Sequence, residues 1–225
     1  ALRIGRATKG AFEIGVGALV SAWGFGPGPR QPDHAAITAA AAAARVPATE
    51  ALELDVLGCR ARKVAPLGLD LCGIAKGFGV DGMARVLDGL GIRSWLVGID
   101  GEMRARGLKP GGEPWAVAHE RPDRHRREPM GVIELTDMAV ATSGNYRHWA
   151  EVDGQVVSHT MDPAQGAPIG NGIASVSVLA PTCMAADAWA TALLVLGEEA
   201  GLKRARDAGL DAIFVLGDGT VRGTI

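Results

Sequence analysis

Between residues 115 and 180 the chain carries strand-like segments in succession, with no helical stretch separating them. A strand around 115 to 118, then VIEL (132 to 135), MAVAT (138 to 142), VVSHT (156 to 160) and SVSVL (175 to 179) are short and bounded by loops such as GLKPGGEP and RPDRHRREP. Consecutive strands pair directly, whereas a parallel sheet needs a long, usually helical, crossover after each strand. The order therefore predicts an α+β fold and argues against a doubly wound α/β sheet. SVSVL alternates as a strand with one polar face would.

Helical segments flank this run. HAAITAAAAAAR (34 to 45) is helical by its alanine content. In GVDGMARVLDGLG, Val80, Met83, Val86, Leu87 and Leu90 recur at helical spacing, and Gly91 ends the helix. MAADAWATALLVL follows Pro181-Thr182, with Thr182 as N-cap and Gly197 as stop. A further helix over roughly 198 to 208 leads to a hairpin, AIFVL-GDG-TVRG. GAFEIGVGALVSAWGFG (10 to 26) reads as ordered but irregular, running into the loop GPGPRQPD, and short strands are expected near 52 to 57 and 61 to 65. WLVGI (95 to 99) reads as a buried strand. No repeat or linker divides the 225 residues, which fit one large domain or two small intertwined ones.

Composition narrows the function classes. With 48% hydrophobic and 21% charged residues and a formal charge of −2, the chain reads as soluble and globular, with no nucleic-acid surface. No apolar run reaches the roughly 18 residues of a membrane span, and the first residues lack the pattern of a signal peptide. The 32 glycines imply many backbone positions of positive φ or close approach. Cys59, Cys72 and Cys183 are too few and too unpatterned for a disulfide framework or a zinc site, and leave the redox compartment open.

Chemistry could sit in three places. Asp187 and Thr191 stand at i and i+4 of a helix, so both oxygens reach one hard cation; equally, Asp187 could simply favour the helix N-terminus. LDLCGIAKG (69 to 77) is a Gly-rich stretch before a helix, suited to phosphate, although such a stretch is also an ordinary turn. His159, in VVSHTMDPAQGAP, is the side chain type best suited to moving a proton near neutral pH, or a structural histidine at a strand end. The basic stretch Arg121 to Arg127 is broken by Asp123 and reads as a solvated loop.

Taken in order, GAFEIGVGALVSAWGFG, LDLCGIAKGFGVD, VATSGNYRHW, VVSHTMDPAQGAPI and APTCMAADAWATALLVLG resemble the blocks of the FAD:protein FMN transferase (ApbE) family across residues 10 to 216. The resemblance implies an ApbE-like fold, with mixed, mainly antiparallel sheets packed against helices, over residues 1 to 225. It implies transfer of FMN from FAD to a Thr or Ser hydroxyl of a target flavoprotein, with Mg²⁺ and release of AMP. Asp187 and Thr191 would be side-chain ligands of Mg²⁺, joined by the carbonyl of Gly73. Asp70 and Lys76 would face FAD, with Ala11, Phe12, Glu13 and Met161 lining the cofactor site. His159 would lie beside the scissile pyrophosphate as the base, and Asp187 would fix the metal.

Glu13 stands where the family usually has Asp, and the Cys72-Gly73 pair varies in the family. Members also carry a longer N-terminal region with a Met-Gly-Thr stretch over FAD, so this chain is expected to bind FAD less tightly and to expose an apolar patch. Family resemblance further implies a periplasmic location or the outer face of the bacterial inner membrane, with membrane contact only through a signal or lipid anchor beyond this chain. Two alternatives remain: FAD hydrolysis to FMN and AMP, and FAD binding without catalysis.

Overall fold

The computed structural model describes residues 1–28, 31–43, 45–152 and 154–224; Pro29 and Arg30 of the GPGPRQPD loop and Ala44 of the Ala-rich segment lie outside the described residues. Two compact units are interleaved along the sequence. One comprises Ala1–Leu71 and His148–Gly170, the other Cys72–Arg147 and the chain from Asn171 onward.

The second unit is built on a six-stranded sheet. In spatial order its strands are Val221–Gly223, Asp211–Leu216, Ile173–Ala180, Ala139–Gly144, Glu102–Arg106 and Trp95–Ile99, and every neighbour is antiparallel. The sheets are antiparallel as predicted, but the run does not pair consecutively: Ala139–Gly144 joins Ile173–Ala180, while Trp115–Glu120, Pro129–Leu135 and Gln155–Ser158 pair in separate hairpins. Trp95–Ile99 lies at the sheet edge with only Trp95 buried, so WLVGI is not the buried strand its apolar sequence suggests. Helices Cys72–Gly89 and Cys183–Leu196 pack on this sheet through small contacts: Val80, Ala139 and Cys183 form one cluster, Ala141, Ala180 and Ala186 another. Thr182 caps the second helix by accepting the Ala185 N–H at 3.3 Å, and Gly197, at φ 83°, ends it.

Strands Trp115–Glu120 and Pro129–Leu135 form a separate hairpin in the same unit. Its His119 is buried, and Nε2 lies 3.0 Å from the Ser177 hydroxyl, which meets the Thr142 hydroxyl at 2.7 Å. The polar side of SVSVL therefore faces inward: Ser175 and Ser177 are 1% and 0% exposed. Burial pulls the His119 imidazole below its ordinary range, so the folded chain holds the ring neutral. The unfolded chain takes up this proton near pH 6.5, and stability must fall as pH drops through that value. We expect a loss between pH 7 and 5 no steeper than about 1.4 kcal/mol per pH unit. Urea titrations of the parent and of His119→Gln, which keeps a polar reach to Ser177, check it: the step is absent in the variant.

In the first unit, residues 10 to 26 are more regular than their glycines suggest. Ile14–Val16 forms a 3₁₀ turn and Gly17–Ala22 an α-helix, because Val16, Leu19 and Val20 share a face that packs on Met161. His34–Ala42 is helical, capped by Asp33 through the Ala36 N–H at 3.0 Å. Hairpins Leu52–Asp55 with Arg60–Lys63, Trp149–Val152 with Gln155–Ser158, and Met161–Asp162 with Ala167–Pro168 complete it. Among the described residues none of the three cysteines is in a disulfide, and only Cys183 is buried. No described helix is long and apolar enough to cross a membrane.

Candidate active site

The site residues fall in both units, and each group has its own local logic. In the second unit, helix Cys72–Gly89 begins inside LDLCGIAKG. The glycines that read as a loop are thus mostly helical. The reason is packing. A Cβ on Gly77 would fall on the backbone of Cys183 and Met184, so only glycine lets the two helices approach this closely.

That approach creates a reciprocal arrangement. The Gly77 N–H donates to Asp187 Oδ2 at 2.9 Å, and Asp81, 4% exposed, accepts from the N–H groups of Cys183 and Met184 at 3.0 Å each. Arg104 Nη1 balances Asp81 at 2.7 Å. Replacing Gly77 by Ala should cost about 1–3 kcal/mol through overpacking against backbone that has little room to yield. A urea midpoint equal to the parent's would show that the helices separate without loss.

Asp187 is 3% exposed. Burial pushes its carboxyl above the usual range, while the Gly77 N–H and the Lys76 charge act the other way. Gly73 lies in the first turn of the same helix, four residues before Gly77. Thr191 lies one turn beyond Asp187, and its Oγ1 is 2.9 Å from the Ser143 hydroxyl. A carboxylate, a hydroxyl and a carbonyl are the oxygen donors a hard dication takes, and Mg²⁺ needs few protein ligands because it keeps waters. In donor type these three residues suit Mg²⁺; among the described residues no group of three or more His, Cys, Asp or Glu could hold a metal.

Beside these residues Lys76 meets a partner that the sequence did not point to, Glu102. Lys76 Nζ donates to Glu102 Oε1 at 2.7 Å and lies 4.0 Å from Asp100 Oδ2. Burial alone would lower the Lys76 ammonium; the bond to Glu102 and the charges of Glu102, Asp187 and Asp100 outweigh it and raise it, so the lysine stays charged. Burial raises the Glu102 carboxyl. Cys183, buried beside Asp81, Asp187 and Glu102, is held as the neutral thiol by burial first and by those charges second.

In the first unit, Phe12 is buried and Ala11 half-buried, at the turn after the first helix, Leu2–Ala7. Glu13 Oε1 accepts from the N–H groups of Gly15 at 2.6 Å and Ala48 at 3.0 Å, so the longer arm organises two chain segments. The Asp70 N–H donates to the Ile14 carbonyl at 2.8 Å, which brings Asp70 beside the segment carrying Phe12 and Glu13. Met161 is 5% exposed in the core cluster with Val16, Leu19 and Val20. His159 Nδ1 lies 2.9 Å from the His148 carbonyl, which can only accept, so Nδ1 carries the proton and the neutral ring has its lone pair on Nε2. Edge contacts with Phe25 and His148 hold the ring.

Comparison with known proteins bears on this arrangement. The pattern of the ApbE family matches residues 1–214. The FAD:protein FMN transferase of Vibrio cholerae is 44% identical over 203 residues, which is 90% of this chain and 60% of that protein. The Escherichia coli protein of the same name is 35% identical over 221 residues, 97% of this chain and 63% of its own length. The chain thus spans 60% to 63% of the length of these curated relatives. Among solved structures, the Pseudomonas stutzeri flavinyl transferase ApbE in its apo form superposes with a TM-score of 0.81 at 38% identity, covering 99% of this chain and 70% of that one. The Thermotoga maritima ApbE protein gives 0.86 at 29% identity, covering 99% and 72%.

Proposed function

We propose, from the premise that this chain belongs to the ApbE family, that it transfers FMN from FAD to a hydroxyl of a target protein. The observation that carries the reading is the buried Asp187 carboxylate, fixed by the Gly77 N–H with Thr191 one turn away, in a chain whose relatives are named FAD:protein FMN transferase.

In this reading Asp187, Thr191 and the Gly73 carbonyl hold Mg²⁺, which when bound neutralises charge developing on the phosphate oxygens. Asp70 and Lys76 bind FAD, and Ala11, Phe12, Glu13 and Met161 shape the segment against which it rests. His159 takes the proton of the attacking Thr or Ser hydroxyl at Nε2. The hydroxyl oxygen forms a bond to the FMN-side phosphorus, the bridging P–O bond breaks, and AMP leaves. We place this chemistry in the periplasm or at the outer face of a bacterial inner membrane, as the family resemblance implies.

The test is incubation with FAD, Mg²⁺ and a candidate acceptor protein, followed by weighing the acceptor. A gain equal to one FMN, with AMP released, supports transfer. FMN and AMP appearing with the acceptor mass unchanged would mean that water is the nucleophile, and bound but intact FAD would mean that the chain only binds it.

A further inference from the structure

Glu102 opens a strand after the turn Asp100-Gly101, both at positive φ, and its side chain is 2% exposed. Oε1 takes the Lys76 ammonium at 2.7 Å, and Oε2 has no hydrogen-bond partner. A buried carboxylate with one oxygen unsatisfied is a poor way to stabilise a fold, because apolar residues of similar volume do as well or better. Of the two partners the lysine is the one that solvent reaches, at 40% exposure of its side chain. One of its three N–H groups is committed to Glu102, which leaves two for a ligand.

We propose that Glu102 is a positioning residue: it pins Lys76 in the orientation in which the ammonium meets the diphosphate of FAD. The inference rests on the FMN-transfer reading, which makes Lys76 a cofactor contact. A free lysine stem is rich in rotamers, and ordering it on binding weakens affinity. Here the ordering is done in the fold by a carboxylate that cannot move away. Without Glu102 the ammonium is left to Asp100, whose side chain is 72% exposed and whose pull is screened by water.

The experiment is a double-mutant cycle on FAD affinity, by titration calorimetry with Mg²⁺, using the parent, Glu102→Gln, Lys76→Met and the double variant. Glu102→Gln should weaken FAD binding about threefold to tenfold, the worth of one immobilised side chain, and the effect should vanish in the Lys76→Met background. Glu102→Met gives the same cycle if the glutamine variant folds poorly. A loss of equal size in both backgrounds, or no loss in either, overturns the positioning role while FAD binding by the parent leaves the transferase reading standing. A parent chain that binds no FAD overturns both.

Discussion

Asp187→Asn is expected to abolish FMN transfer, lowering turnover at ordinary Mg²⁺ by about a thousandfold or more, since a bound dication supplies several kcal/mol of charge stabilisation. The amide keeps the shape and can still accept the Gly77 N–H, but it lacks the charge that holds a hard cation. The fold should not suffer. Burial raises the Asp187 carboxyl, so the folded chain holds this proton more tightly than the unfolded chain does, and the ionised form works against folding at every pH above the ordinary carboxylate range. Asparagine removes that opposition, so the variant should melt no lower than the parent at pH 8, with the difference shrinking as the solution is acidified through the raised value and gone below pH about 4. Mg²⁺ should raise the melting temperature of the parent and leave the variant unmoved. Undiminished transfer by Asp187→Asn would remove Asp187 from the cation site. Thr191→Val, which loses only a neutral donor, should retain more activity.

His159→Ala should lower turnover by about 10²–10⁴-fold, the usual worth of a positioned base, with FAD affinity largely kept. The side chain is suited to this because the His148 carbonyl, 2.9 Å from Nδ1, favours the Nδ1–H tautomer, which places the lone pair of the neutral ring on Nε2. Single-turnover measurements separate the chemical step from binding. If FAD affinity falls and the chemical step does not, His159 binds rather than catalyses.

The strand segments and the limits of helix Cys183–Leu196 were legible because they depend on local pattern: Thr182 and Gly197 bound that helix as their types predict. What was illegible depends on partners far along the chain. Ser177 reads as the outward face of an alternating strand, but it meets His119 and Thr142, 58 and 35 positions away, and a satisfied hydroxyl is as acceptable inside as out. The glycines before Val80 read as a loop because glycine disfavours helix by about 1 kcal/mol. Nothing nearby reveals that Gly77 is needed for the approach of Cys183. Glu102 was missed because a single acid after Asp100-Gly101 looks like part of an exposed hairpin turn. The spacing of Asp187 and Thr191 did indicate a shared helix face; that Asp187 is also tied to Gly77, 110 residues away, emerged only from the fold.

The two helices of the second unit hold each other by exchange: one gives its Gly77 N–H to Asp187, and the other gives the Cys183 and Met184 N–H groups to Asp81. The two carboxylates sit on opposite partners, so sliding either helix along the other breaks both ends at once and leaves buried charges without donors. Packed helices in many enzymes shear by an ångström or two as a ligand arrives. In this pair such a shear would break the bonds at Asp187 and at Asp81 together, so the two helices are tied at a fixed register that also sets the spacing of Lys76 and Asp187.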